Sequence, residues 1–146
     1  MFDSPTTASL QSLLQARWHV DRAITDARNN SVGAWEGNAI FRPHNLHLLY
    51  TESGILDLDG MQIETTREYR YVSTGAWAMN VQFTDGRPFH DLDLSSGQCS
   101  VEHHCGNDHY RGEFQTGIDN LSIAWRITGP HKDLYINSRY ELVERL

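Results

Sequence analysis

Basic residues are scarce in this chain: twelve Lys and Arg stand against nineteen Asp and Glu, for a formal charge of -7. That balance repels phosphate backbones and anionic lipid, so nucleic acid and membranes are disfavoured as partners. Long apolar runs are missing too. Nothing approaches the ~20 residues that cross a bilayer, and MFDSPTTASLQSLLQ lacks the basic segment and apolar run of a secretion signal. The expectation is a soluble, cytoplasmic protein. Cysteine is limited to Cys99 and Cys105. Six positions apart on one strand, they would sit roughly 20 Å apart at about 3.3 Å per residue, beyond disulfide reach, so both read as free thiols. No CxxC, HxxxH, phosphate-cradling loop or dinucleotide fingerprint occurs. ATP and NAD chemistry are disfavoured, and no cofactor is implied.

What is present is alternation. The 146 residues suit one domain with its own core. Leu10, Leu13, Leu14 and Arg17 follow Ser4 and Pro5 at helical spacing, which predicts a short amphipathic helix over about 8–17. From Trp18 onward the period is two, and strands are expected near 18–26, 34–42, 46–56, 61–73, 76–84, 87–93, 98–105, 109–116, 121–128 and 133–143. The connectors, among them AspGly at 59–60 and 85–86, are hairpin chemistry, and no helix-length connection remains. The fold class is therefore all-β: a single antiparallel up-and-down barrel of about ten strands, closed to avoid exposed edges, with the helix capping one end.

Pairing residues across each turn gives a register. Val81 faces His90, Met79 faces Leu92 and Phe83 faces Pro88; next, His90 faces Val101 and Leu92 faces Cys99. Cys105 then faces Tyr110, His103 faces Gly112, and Gly112 meets Trp125, which meets Ile136. In the first half Gly37 meets Tyr50, and Glu52 meets Thr65, diagonal to Arg67. A one-residue bulge near Ser73 turns Arg67, Tyr69 and Tyr71 inward. The opposite face carries Asp91, Asp93, Glu102, His104, Arg111, Glu113 and Arg126 and so faces water.

An apolar, aromatic lumen then contains Arg22, Glu52, Arg67, Tyr69, His90, His103, Cys105, Tyr110, Trp125 and Tyr140. Buried charges need partners, and two arginines outnumber one glutamate, so the ligand expected is a small, partly apolar anion gripped by a guanidinium fork. Alternatively, Arg22, Glu52 and Arg67 form a structural ion network in a barrel filled by side chains. The stretch Phe89–Tyr110 holds four of the eight histidines and both cysteines. His90 or His103 with Tyr110 could transfer protons in an isomerase, cyclase or hydrolase, and Cys105 could act as a nucleophile. His90, His103 and Cys105 are also candidate ligands for zinc or copper, or a histidine for haem, though a fourth ligand is lacking. His104 and His109 are expected to face solvent. A monomer or homodimer is anticipated.

The succession GxAxF at 37–41, YxExG at 50–54, RxY at 67–69, DGRPFHxxDL at 85–94, HxCxxDxY at 103–110, WxxTGPxKD at 125–133 and RY at 139–140 resembles an uncharacterised family of small bacterial proteins. The resemblance runs from Leu13 to the C-terminus and implies a lipocalin-like barrel of unknown function, without catalytic residues to carry over. This chain departs from the pattern at His131, where arginine is expected, and at Leu134, where an aromatic is expected. Motif and lumen coincide at Glu52, Arg67, Tyr69, His90, His103, Cys105 and Tyr110. Asp108 and Asp133 match as turn-fixing residues, and Pro130 and Lys132 as rim residues.

Overall fold

Period-two alternation folds as expected in the computed structural model, which describes residues 9–146. A helical turn, α1 (Leu10–Leu14), leads into β1 (Ala16–Asp26), β2 (Ser31–His44), β3 (His47–Leu58), β4 (Met61–Gly75) and β5 (Ala78–Gln82). Then come β6 (Pro88–Asp93), β7 (Gln98–Cys105), β8 (Asp108–Thr116), β9 (Asn120–Gly129) and β10 (Lys132–Arg145). All ladders are antiparallel, in the order β6-β5-β4-β3-β2-β1-β10-β9-β8-β7, so first and last strands pair and one nearly closed barrel results. The turns are those their residues favour. Asp59 and Gly60, with φ of 53° and 80°, have the double positive φ of a type I′ hairpin.

α1 is shorter than the spacing predicts. Ser9 caps it by accepting from the Ser12 amide at 3.1 Å, while the expected cap at Ser4 and Pro5 lies outside the described residues. Alternation begins at Ala16, so Arg17 belongs to β1. Leu10, Leu13 and Leu14 are buried in the same core cluster as Trp18, Phe41, Leu48, Met79, Leu92, Leu94 and Leu121, plugging one mouth. Trp18 Nε1 donates to the Leu14 carbonyl at 3.0 Å, and Arg145 donates to the Leu13 carbonyl at 2.7 Å, fastening the plug to both ends of the chain.

Several departures from the expected register shape the barrel, and one of them is that Pro88 meets Gln82 instead of Phe83. Gly37 meets Gly54 instead of Tyr50, which pairs with Phe41. Trp35 lies over the two glycines; a Cβ on Gly54 would stand 2.5 Å from its ring. Glu52 meets Arg67 directly, and the turn after β7 is tighter by one pair, so His103 meets Tyr110 and Cys105 meets Asp108. Finally, β6 and β7 lie side by side without a ladder, so the expected pairs of His90 with Val101 and Leu92 with Cys99 do not form. The Asp93 amide instead points at Cys99 Sγ, 3.5 Å away. The bulge near Ser73 is present, and Gly112 sits beneath Trp125 as expected.

Strand lengths open the other side. β4 pairs with β5 only from Arg70 to Gly75, which leaves its first half with a free edge. Met61 and Ile63, on the same face of β4 as Arg67, are 65% and 42% exposed there. The lumen meets solvent along this edge.

Candidate functional site

Between the helical plug and the free edge of β4, a cavity of about 240 Å³ remains inside the barrel. A dry cavity of about 150 Å³ holds benzene, so this one suits a molecule about one and a half times that size. Trp35, Phe89, Phe114, Ile123, Trp125 and Ile136 provide its apolar wall. Of the site residues expected from sequence, Arg22, Glu52, Arg67, Tyr69, His90, Tyr110, Trp125 and Tyr140 line it. A wider depression of about 900 Å³ is lined mainly by outward-facing side chains such as Asp21, Ala23, Glu36, Asp57 and Arg139. It shares Arg22 and Ser138 with the lumen but is not lined by Glu52, Tyr140 or His90, so the convergent polar groups lie in the smaller space.

The polar floor is a closed network. Arg22 Nη1 and Nη2 donate to the two Glu52 oxygens at 2.8 and 3.0 Å, and Nε donates to Ser138 Oγ at 2.7 Å. Its guanidinium lies 4.5 Å from the Trp35 ring centre. Tyr50 donates to Glu52 Oε1 at 2.5 Å and is 2.7 Å from the Tyr140 hydroxyl. Burial opposes both charges of the pair, but the hydrogen bonds and mutual attraction outweigh it. Glu52 is held below the ordinary carboxylate value and Arg22 above the ordinary guanidinium value. Burial also pushes Tyr140 up to about 12 and Tyr50 well above its usual range. Both phenols stay protonated at neutral pH. Of the two arginines expected against one glutamate, Arg22 is the one that Glu52 neutralises.

Arg67 is different. It is exposed along the free edge, donates to the Tyr69 hydroxyl at 2.9 Å, and meets no carboxylate at ion-pair distance among the described residues. Tyr69 is the main cause of a raised Arg67 pKa, partly opposed by burial. The lumen therefore carries one uncompensated positive charge, at its mouth.

His90 is buried on β6, with Nδ1 3.0 Å from the Asp91 carbonyl. A carbonyl only accepts, so Nδ1 carries the proton and Nε2 keeps its lone pair. Burial, chiefly, lowers the His90 pKa and favours this neutral form.

Two expected residues fall outside the cavity lining. His103 packs behind the wall, 5.0 Å from the Phe89 ring and 5.8 Å from the Tyr110 ring between centroids. Cys105 keeps the inward parity of β7 but ends the strand beside the Gly106 turn, where it is exposed. Both cysteines are free. His90, His103 and Cys105 are not among the groups of described residues whose donor atoms converge.

Phe89 was not expected inside, because it neighbours inward His90. A register irregularity between Val81 and Gln82, opposite Pro88, admits both. Pro88 has no amide hydrogen to give the ladder, and this is the signal that marked the spot. Phe89 then stacks on Trp125 with centroids 5.4 Å apart and planes 11° apart. Ser138 was also missed, and Trp35, which the alternation puts on the face of Tyr50, was given no site role, since these roles depend on the exit direction of Arg22 and on the Gly37–Gly54 pair.

Among the described residues no helix is long and apolar enough to cross a membrane. No curated protein matches the chain. The motif succession and the barrel agree with a family match that spans residues 14–142 and so covers most of the sequence: the chain belongs to a family of unknown function, DUF6314.

Proposed function

We propose that this barrel binds a small amphipathic anion, its acid group at Arg67 in the mouth and its apolar part between Trp35, Phe89 and Trp125. The observation that carries the reading is the division of charge: Glu52 uses up Arg22, whereas Arg67 has a phenol for a partner and no carboxylate. A planar fork with free donors beside an aromatic cavity suits a carboxylate or phosphate on a ring or short chain. The neutral His90 Nε2 offers an acceptor for a hydroxyl or amine on the buried part.

Native mass spectrometry of protein purified from its own host identifies a retained molecule. Tryptophan fluorescence titration with short aliphatic and aromatic carboxylates then measures affinity. Arg67→Ala is expected to weaken binding about tenfold to a hundredfold, as for loss of a charge-assisted hydrogen bond, with Arg67→Lys in between. Equal affinity in Arg67→Ala would defeat the assignment.

His90 also favours a second reading, in which the bound acid or ester is a substrate. Nε2 accepts a proton from it, and Tyr110, lining the same cavity, is the donor. His90→Gln would then abolish turnover while retaining binding.

A further inference from the structure

Outside the lumen, the outer wall of β7 and β8 gathers three metal-ligating side chains. Glu102 and His104 are two apart on β7 and share a face, and His109 is the direct cross-strand partner of His104. One donor atom from each lies within 4.8 Å of the others. The imidazole rings stack with centroids 4.3 Å apart and planes 6° apart. His109 Nε2 stands 3.4 Å from Glu102 Oε1, yet it is shielded from solvent and has no hydrogen-bond partner. A shielded polar atom without a partner is unfavourable, and a bound cation would relieve it.

A second group, His19, Asp21 and Glu36, gives the contrast. There a single imidazole lies between two carboxylates, with Nε2 2.9 Å from Glu36 and Nδ1 3.7 Å from Asp21. Its two nitrogens point to different acids, the arrangement of an ion pair.

We propose that Glu102, His104 and His109 bind a divalent transition metal of the zinc class. Two imidazoles and one carboxylate are the donor set that suits Zn²⁺. Ligands 2.0–2.2 Å from a tetrahedral ion lie about 3.3 Å apart, so the donors close by at most about 1.5 Å. The exposed side chains of Glu102 and His104 make that adjustment by changing rotamer, without disturbing the ladder. Three protein ligands leave the fourth position open to water or to a group from another molecule. Arg111, opposite Glu102, and Arg126, opposite Arg111, add positive charge nearby. They make the site weaker than an enclosed structural zinc site.

The test is calorimetric titration of tag-free protein with Zn²⁺, backed by competition with a chromophoric chelator. Wild type, His19→Ala and Cys105→Ser are expected to bind one equivalent alike. Loss of an outer-shell partner already costs 10–100-fold, so His104→Ala/His109→Ala should bind at least about 100-fold more weakly, and Glu102→Gln about tenfold. His104→Gln/His109→Gln, which keeps a polar surface, should show the same loss with an unchanged far-ultraviolet spectrum. Failure of wild type to bind at about 100 μM Zn²⁺, or retained affinity in both double variants, would overturn the assignment.

Discussion

Replacing Glu52 by glutamine strips one charge from a pair whose side chains are only 5% (Glu52) and 15% (Arg22) exposed. The guanidinium then keeps Ser138 Oγ, the Tyr140 hydroxyl at 3.4 Å and the face of Trp35, but no counter-charge. Breaking a buried pair from one side costs about 3–5 kcal/mol, and these remaining partners place this case near 3. At about 2–4 °C per kcal/mol for a domain of this size, the melting temperature should fall by about 6–12 °C at pH 7. The pH dependence is specific. Burial alone would raise the Glu52 pKa, but Arg22, Tyr50 and Arg67 together bring it below its ordinary 4.5. A depressed folded pKa means that the contribution is complete above the unfolded value and is lost as pH falls through the folded one. The gap between wild type and Glu52→Gln should therefore be full at neutral pH and close only below 4.5. Arg22→Met/Glu52→Leu removes both charges and leaves Tyr50 and Tyr140 bonded to each other, so it should recover most of the loss. Urea denaturation of the three proteins decides the matter. A single variant within about 1 kcal/mol of wild type at pH 7, or a double variant no better than the single, would refute the reasoning.

Three further outcomes are expected. His90 has a folded pKa below its ordinary 6.5, mainly through burial. Its contribution is complete above 6.5 and declines as pH drops through that value towards the folded one, so urea midpoints between pH 7.5 and 5 should fall less in His90→Gln than in wild type. Gly112→Ala would set a methyl 2.8 Å from the Trp125 ring, and overpacking of this kind costs about 1–3 kcal/mol. Calorimetry and near-ultraviolet dichroism should record the loss and a displaced tryptophan. Arg145→Ala removes hydrogen bonds to the Leu13 and Ser12 carbonyls, so amide exchange across Leu10–Leu14 should quicken while β3 and β4 are unchanged.

Strand existence and inward parity were legible because both depend on local chemistry: alternation, and turn pairs such as Asp59-Gly60. The positions of Arg22, Glu52, Arg67, His90 and Trp125 in one lumen follow from parity together with the bulge near Ser73. What escaped depends on distances along strands. A turn tighter by one pair moved His103 from Gly112 to Tyr110 without changing its face, and parity arguments are blind to that shift. Parity likewise says nothing of how far a strand is covered, and so Cys105 was placed inside although it projects beyond the wall. Whether Arg22 serves a ligand or Glu52 is a matter of rotamers. The near contact of His104 with His109 required the true β7–β8 register.

The order of the ladders carries a consequence for the chain's connectivity. The unpaired seam falls between β6 and β7, in mid-sequence, whereas β1 and β10 are hydrogen-bonded along most of their length. The Leu146 amide reaches the Gln15 carbonyl at 3.3 Å, so the C-terminus returns to the start of β1. A circular permutant opened between Ser95 and Ser96, with a linker joining Leu146 to Ser9, would place every ladder between consecutive strands and let both sheet edges coincide with chain ends. The natural chain makes its one distant ladder by closing a loop of most of its length, a closure whose entropic cost grows with the logarithm of that length. The permutant replaces this closure by a hairpin and should fold faster.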